Sequence, residues 1–169
     1  MGLLVLASVI VVASIVWLEQ PRGSAACTST GTVLYEQAYV DESGTCRSLS
    51  EFQAPLTIIN VWASWCPFCV EELPDFARIA AEFPEVPVVV INRAEPVTQA
   101  QAFLETLELN DSLQVLFDLD DLFYRSIGGF GMPETVFVAS DGTILRHKRG
   151  AMSLEEMRDV IGALRAGQE

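Results

Sequence analysis

The feature that most constrains this chain is a pair of cysteines, Cys66 and Cys69, that comes just after a continuous apolar run. The run, residues 56–62, is rich in β-branched side chains and is typical of a strand buried on both faces of a sheet. Proline is common at the first position of a helix, so Pro67 is consistent with a helix that begins there. Apolar residues then recur at helical spacing to about residue 83. The sequence therefore predicts a buried strand, a short turn and a helix that begins between the two cysteines.

This placement indicates thiol–disulfide chemistry. The unpaired N–H groups and the macrodipole at a helix N-terminus stabilise a thiolate at Cys66. Cys69 lies one helical turn further on, within disulfide reach, so it can resolve a mixed disulfide. Half of a zinc site is the less favoured interpretation, because it needs two more ligands and His147 is the only histidine. We predict a redox-active disulfide between Cys66 and Cys69, with no metal and no cofactor.

Composition and charge exclude several classes of protein. Ten Lys and Arg against 23 Asp and Glu give a formal net charge of −13. Because a phosphate-binding face needs clustered Lys and Arg, this balance excludes a nucleic-acid binder. The hydrophobic fraction of 50% excludes a disordered chain, since so much apolar surface can bury a core. We expect one acidic folded domain.

The beginning of the chain, residues 1–18, contains no charged side chain. As a helix it rises about 27 Å, close to the roughly 30 Å hydrocarbon core of a bilayer, and Trp17 falls at the interface. We predict a transmembrane anchor over residues 1–18, a polar linker over 19–30 and one folded domain over 31–169. A cleaved signal peptide is the alternative, since small residues precede Cys27; the missing basic n-region favours the retained anchor.

Beyond the linker, short apolar runs alternate with helical patterns. An Asp-Gly between two apolar runs is a strong hairpin signal, and Ser153 with Glu156 forms a capping box at the start of the last helix. The order β, β-α-β, α, β-β-α predicts an α/β fold, a sheet covered by helices on both faces. The predicted elements are a strand at 33–39, the strand at 56–62, the helix at 67–83, a buried strand at 86–91, a helix at 97–107, a short edge strand at 113–117, hairpin strands at 135–139 and 143–147, and a helix from 153 to about 166.

Two motifs resemble a known family. The first is Asn-Val-Trp-Ala-Ser-Trp-Cys-Pro-Phe-Cys at residues 60–69, followed by Glu-Leu-Pro at 72–74. The second is Gly-Met-Pro-Glu-Thr-Val-Phe-Val at residues 131–138, followed by Asp-Gly. Both are similar to the thioredoxin-like TlpA/ResA/DsbE (CcmG) family of membrane-tethered thiol–disulfide oxidoreductases, which face outside the cytoplasm. The resemblance implies a thioredoxin-like fold, a central mixed β-sheet flanked by helices, and its Pro-Glu-Thr segment favours the DsbE-like branch of cytochrome c maturation.

The resemblance also implies a substrate groove. In the family the proline at position 133 is cis and packs against the cysteine pair, and residue 132 offers free backbone groups to a client strand. We therefore expect Met132 and Pro133 to bind substrate, and a trans proline at the start of an edge strand is the alternative. Trp65, Pro67 and Phe68 flank the nucleophile, and we expect them to form a partly exposed apolar contact for substrates.

Three polar positions near the motifs are candidates for acid–base or structural roles. Thioredoxins keep a buried Asp six residues before the first cysteine, and Asn60 occupies that position here. Glu72 matches a family glutamate near the cysteines; partly buried, it would have a raised pKa and could take a proton from Cys69. A solvated helix face is the alternative for Glu72. Glu134 either shapes the charge of the groove or has a structural role.

Cys27 and Cys46 lie outside the active motif. In an oxidising compartment they can form a structural disulfide, and the alternatives are two separate thiols or a modified Cys27. The resemblance places the domain on the extracytoplasmic side of a membrane, where such a disulfide persists.

These features together predict an oxidoreductase that reduces disulfides in extracytoplasmic client proteins. The expected partners are proteins with disulfides or Cys-x-x-Cys motifs, apocytochrome c among them, and a membrane thiol donor of the DsbD/CcdA type. A Sco-like copper-binding assembly factor is one alternative, but that family spaces its cysteines by three residues and adds a downstream histidine. A thiol peroxidase is the other, although Ala63 stands where the peroxiredoxin pattern has Thr.

Overall fold

A computed structural model of the protein describes Cys27, residues 34–109 and residues 112–167. The predicted elements follow one another in the predicted order, but the structure adds elements that the sequence analysis did not predict. These are two short 3₁₀ turns, at Leu34–Glu36 and Leu49–Phe52, the strand Cys46–Ser48 and the short helix Leu122–Ser126. The strands are β1 (Ala38–Val40), β2 (Cys46–Ser48), β3 (Leu56–Trp62), β4 (Val88–Arg93), β5 (Gln114–Asp118), β6 (Glu134–Ala139) and β7 (Ile144–Arg149). The helices are α1 (Pro67–Glu82), α2 (Val97–Thr106), α3 (Leu122–Ser126) and α4 (Leu154–Ala166).

The strands form one seven-stranded mixed sheet in the order β2-β1-β5-β4-β3-β6-β7. The middle strands β3, β4 and β5 are parallel, and β6 runs antiparallel to β3. Side chains at alternate strand positions lie on opposite faces of the sheet and form two cores. One core lies under α1, α2 and α4, and the other lies under α3 and the 3₁₀ turns. The predicted thioredoxin-like α/β architecture, a mixed sheet flanked by helices, is confirmed.

The central strand explains why the cysteine motif is so well placed. All seven residues of β3 are buried, as its unbroken β-branched run predicts. It pairs with β4 on one side and β6 on the other. Because parallel strands end at the same edge of a sheet, the segments that follow β3, β4 and β5 lie at one edge, together with the segment that precedes β6. We call this the active edge.

Two predicted strands differ from the structure. The predicted strand at residues 33–39 was wrong over Leu34–Glu36, which form a 3₁₀ turn, and only Ala38–Val40 pair as a strand. Leu34 and Tyr35 are both buried in the same core, which a helical turn allows and the alternation of a strand does not. The predicted short edge strand at residues 113–117 was also wrong in its position, because β5 lies inside the sheet between β1 and β4.

The hairpin and the last helix agree with their sequence signals. Gly142 has a φ of +86° in the turn between β6 and β7, a conformation that favours glycine. Ser153 accepts a hydrogen bond from the Glu156 backbone N–H, so the helix begins as predicted. Only half of the capping box forms, since the Glu156 carboxylate accepts a hydrogen bond from Lys148 instead.

Part of the predicted organisation falls outside the described residues. The predicted anchor at residues 1–18 lies there, and so does the predicted linker apart from Cys27. Within the part of the chain that the structure describes, no helix has the length and the apolar character needed to cross a bilayer.

Cys27 and Cys46 form a disulfide with a Cα–Cα distance of 5.6 Å. Cys46 is the first residue of β2, at one end of the sheet order. The disulfide therefore joins the segment before the domain to the outer hairpin.

We predict that replacing both residues (Cys27→Ser with Cys46→Ser) lowers the free energy of unfolding by about 2–4 kcal/mol, because the unfolded chain loses a cross-link. Urea unfolding under non-reducing conditions measures the change. The matched control is Cys66→Ser with Cys69→Ser, which opens a much shorter loop and should cost less. Wild-type stability in the first double variant would contradict the prediction.

Candidate active site

The cysteine pair lies where β3 passes into α1. Cys66 is the N-cap of α1, and Pro67 occupies the first turn without the loss of a hydrogen bond. Cys66 and Cys69 form a disulfide with a Cα–Cα distance of 5.3 Å. The Cys69 backbone N–H donates to the Cys66 sulfur at 3.2 Å. The N-terminus of α1 is therefore directed at Cys66, which favours its thiolate once the disulfide is reduced.

The loop before Cys66 is held by Glu95, a residue that the sequence reading missed. Glu95 is buried, and its carboxylate accepts hydrogen bonds from the backbone N–H of Ser64 at 2.8 Å and from its hydroxyl at 2.5 Å. Asn92 and Gln99 donate to the same carboxylate at 2.7 Å and 2.9 Å. An acidic residue just beyond a buried parallel strand was the available signal, because such a position falls at the active edge.

Glu72 lies on α1, one turn beyond Cys69, and is almost fully buried at 3% exposure. Asn60 Nδ2 donates to its carboxylate at 2.7 Å, and the Met152 backbone N–H donates at 2.9 Å. Burial raises the pKa of Glu72 to about 7, and these two hydrogen bonds oppose the rise only in part. A solvated helix face, the alternative for Glu72, does not describe this environment. The carboxyl can change its protonation state near neutral pH.

Asn60 lies on β3 beneath Glu72, and its amide joins two elements of the site. Its Nδ2 donates to Thr135 on β6 at 3.1 Å as well as to Glu72. A neutral amide at this position supplies a hydrogen-bond donor to Glu72, where an Asp would add a second negative charge.

The Met132–Pro133 peptide bond is cis, and the loop that contains it lies at the active edge. Register shows this position: Glu134, the next residue, pairs with Val61 near the end of β3. Met132 is half-buried and packs against the core cluster that includes Cys66 and Cys69. The two motifs therefore meet, although about 65 residues separate them along the chain.

Glu134 is fully buried, and its contacts define a structural role. One carboxylate oxygen accepts hydrogen bonds from the backbone N–H groups of Phe130 at 2.5 Å and Gly131 at 2.8 Å. The other oxygen lies 2.6 Å from His147 Nε2 on β7. Of the two roles that the sequence left open for Glu134, these contacts support the structural one.

The aromatic residues of the motif separate into buried and exposed groups. Trp62 is fully buried in the core, whereas Trp65 and Phe68 are 60% and 62% exposed. Pro67 is exposed beside them. Three of the residues expected to contact substrate thus border the cysteines at the surface.

The described residues include no cluster of three or more His, Cys, Asp or Glu side chains that could hold a metal ion. His147 is instead hydrogen-bonded to Glu134.

Comparison with known proteins supports the same chemistry. The Redoxin family model matches residues 24–163. The thiol:disulfide interchange protein DsbE of Allochromatium vinosum is 34% identical over 119 residues, which cover 67% of this chain and 64% of that protein. The thiol-disulfide oxidoreductase ResA of Halalkalibacterium halodurans is 25% identical over 126 residues, covering 72% of this chain and 70% of that protein. The chain therefore spans slightly less than two thirds of the DsbE relative.

Solved structures include a similar domain. A secreted Mycobacterium tuberculosis disulfide oxidoreductase, described as homologous to Escherichia coli DsbE, superposes with a TM-score of 0.65. Its sequence identity is 28%, and the match covers 75% of this chain and 95% of that one.

We predict that Glu72→Gln removes part of the pH dependence of stability. Because the pKa of Glu72 is about 7 in the folded protein against 4.5 for a free glutamate carboxyl, the folded protein binds more protons than the unfolded chain between these pH values. Its stability should therefore fall as pH rises from about 4.5 to 7, by about 3 kcal/mol at most. The glutamine variant stays neutral and should lack this fall. Urea unfolding of the oxidised protein between pH 4.5 and 8 measures the difference.

The matched control for this measurement is Glu71→Gln, at the exposed neighbouring position. It removes the same charge from α1 without altering a buried carboxyl, so it should keep the wild-type pH dependence. Parallel pH profiles for wild type and Glu72→Gln would contradict the assigned burial effect.

Proposed function

Because this chain belongs to the Redoxin family, we propose that it is a thiol:disulfide oxidoreductase of the DsbE/ResA type that reduces disulfides in client proteins. The observation that carries the proposal is the Cys66–Cys69 disulfide at the N-terminus of α1, with the Met132–Pro133 loop at the same edge of the sheet. The relatives named thiol:disulfide interchange protein and thiol-disulfide oxidoreductase support it.

The reaction begins from the reduced pair. The Cys66 thiolate attacks one sulfur of a client disulfide, a bond forms between Cys66 and that sulfur, and the other client sulfur leaves as a thiolate. The Cys69 thiolate then attacks the Cys66 sulfur and releases the second client thiol. Two electrons pass from the enzyme dithiol to the client, and the two protons of the dithiol end on the client thiols.

Glu72 supplies the base for the second step. Cys69 must lose its proton before it can attack, and it is fully buried. Glu72 is the buried carboxyl one turn further along α1, and its pKa of about 7 lets the ionised form accept that proton near neutral pH.

The client binds as an extended segment at the active edge. Met132 presents backbone groups next to the cysteines, and a client strand pairs with them. Trp65, Pro67 and Phe68 provide exposed apolar surface beside the cysteine pair.

The Pro-Glu-Thr segment resembles the DsbE-like branch of cytochrome c maturation, so the expected clients are of that type, with apocytochrome c among them. Re-reduction then requires a thiol donor, because each turnover leaves the Cys66–Cys69 disulfide. The family resemblance implies a membrane donor of the DsbD/CcdA type.

We place the domain on the extracytoplasmic side of a membrane, anchored by residues 1–18. The uncharged apolar run supports the anchor. The Cys27–Cys46 disulfide suits an oxidising compartment.

We predict that Cys69→Ser traps a mixed disulfide between Cys66 and a client peptide, because the thiol that would release the client is gone. Incubation of the reduced variant with a peptide disulfide, followed by mass spectrometry without reductant, detects the adduct. Cys66→Ser is the control and should form far less adduct. Equal trapping by both variants would contradict the assignment of Cys66 as the nucleophile.

The direction of the reaction follows from the equilibrium of wild type with glutathione buffers. A potential more reducing than about −200 mV supports a reductase, because that lies below the poise of an oxidising compartment. An oxidising potential near that of DsbA, about −120 mV, would overturn the direction and leave the exchange chemistry in place.

We predict that a reporter active only in the cytoplasm stays silent when it is fused after Glu169, because the domain is exported. A second fusion lacking residues 1–26 is the control and should give a strong signal. Strong signal from the full-length fusion would contradict the extracytoplasmic location.

A further inference from the structure

We propose that Phe130 is a specificity-determining contact of this site, and that its ring receives an apolar side chain of the client close to the cysteine that bonds to Cys66. The inference rests on the proposed thiol–disulfide exchange and narrows its substrate class. Preferred substrates are extended polypeptides with an apolar residue beside the reactive cysteine, rather than small disulfides.

The first observation is the exposure of the ring. Phe130 is 91% exposed, against 62% or less for every other exposed large hydrophobic residue among those described. Isolated exposed apolar residues are ordinary, but clusters of them mark interaction sites. Five of the exposed large hydrophobic residues lie in segments that follow β3 or β5 or precede β6, and therefore at the active edge. They are Trp65, Phe68, Leu119, Leu122 and Phe130. Ile144 and Leu145 lie on β7, which begins at the opposite edge.

The second observation is that the backbone beneath the ring is fixed. The Glu134 carboxylate accepts hydrogen bonds from the N–H groups of Phe130 and Gly131. The N–H of Gly129 donates to the Tyr124 carbonyl at 2.8 Å. Gly129 also lies against the Tyr124 ring so closely that an added Cβ would stand 2.4 Å from a ring carbon. Three consecutive residues are thus held in place while the Phe130 ring projects into solvent.

The groups that hold this loop are themselves anchored. His147 contacts the second oxygen of Glu134, which is fully buried. On the other side, the Arg93 guanidinium lies 3.6 Å from the centroid of the Tyr124 ring and makes two hydrogen bonds to Asp121. An apolar ring on a preorganised backbone loses little conformational freedom when a partner binds, so its contact contributes more to affinity.

The third observation is the position relative to the cysteines. Met132 packs against the cluster that contains Cys66 and Cys69. Two residues of extended chain span at most about 7 Å, so Phe130 lies within reach of client residues on either side of the reacting cysteine. A client strand paired with Met132 directs alternate side chains to the same face, where the ring can receive one of them.

The test uses the reduced protein and three disulfide probes. Two are synthetic peptides with one intramolecular disulfide, identical except that Leu and Phe flank the cysteines in one and Ser and Gln flank them in the other. The third is glutathione disulfide. The second-order rate of oxidation of the Cys66–Cys69 dithiol is measured with each probe.

We expect wild type to react with the apolar peptide at least about tenfold faster than with the polar peptide, as burial of one aromatic contact allows. Phe130→Ala should reduce this preference to about threefold or less. Ile144→Ala is the matched control, since it removes an exposed apolar side chain at the opposite edge, and it should keep the full preference. The inference is overturned if Phe130→Ala prefers the apolar peptide as strongly as wild type does. It is also overturned if wild type itself shows no preference between the two peptides.

Two variants of Glu134 test whether the fixed backbone matters. Glu134→Ala removes the acceptor for the Phe130 and Gly131 N–H groups and should reduce the preference although the ring is present. Glu134→Gln keeps one oxygen for both N–H groups, and its amide can donate to neutral His147, so it should restore most of the preference. If Glu134→Ala keeps the full preference for the apolar peptide, the hydrogen bonds from Phe130 and Gly131 to Glu134 do not contribute to specificity.

These outcomes are distinct from a failure of the proposed function. If the reduced dithiol reacts with none of the three probes, thiol–disulfide exchange itself is overturned, and the Phe130 assignment with it. If all three probes react, and the ratios of their rates are the same in Phe130→Ala as in wild type, thiol–disulfide exchange stands. Only the assignment of Phe130 is then wrong.

Discussion

The site depends on the carboxyl end of β3. This strand is buried at every position and paired on both sides, so its backbone cannot shift without breaking the ladders to β4 and β6. Its end therefore sets where Cys66 enters α1. The same pairing places the residue after β4 and the residues before β6 at that edge. One rigid strand thus aligns the cysteine pair, the loop that supports it and the Met132–Pro133 loop, which come from three parts of the chain.

Buried carboxylates hold these loops in place. Glu72, Glu95 and Glu134 are each less than 5% exposed, and each accepts at least one hydrogen bond from a backbone N–H. A buried carboxylate without partners is strongly unfavourable, whereas one with several donors can fix the segments that supply them. Glu95 ties the loop before Cys66 to the end of β4, and Glu134 ties the loop around Phe130 to β7. Burial also raises the pKa of Glu72 to about 7, so its proton is available for chemistry near neutral pH.

Most of the element order was predictable because local patterns encode it. The unbroken apolar run of β3, the proline at the start of α1 and the Asp-Gly turn each act over a few residues, and each prediction agrees with the structure. The short elements β2 and α3 were not predicted. The two errors in the predicted strands have a common cause. Whether Leu34 and Tyr35 share one core, and whether β5 has a neighbour on its outer side, depends on strands that lie far away in the sequence.

The sequence by itself determined the chemistry: a Cys-x-x-Cys pair at the start of a helix, a second motif with proline at 133, and a family resemblance that the Redoxin match supports. The same resemblance also indicated Glu72, which matches a family glutamate near the cysteines. Only the tertiary structure decided that the Glu95 carboxylate accepts a hydrogen bond from the Ser64 N–H and that the Glu134 carboxylate accepts one from the Phe130 N–H. It also decided that the Phe130 ring is exposed to solvent. The physical reason is that periodicity reports which face of its own element a residue occupies. Hydrogen-bond partners and exposure at the active edge arise from strand pairing between distant segments, and one sequence pattern does not specify that pairing.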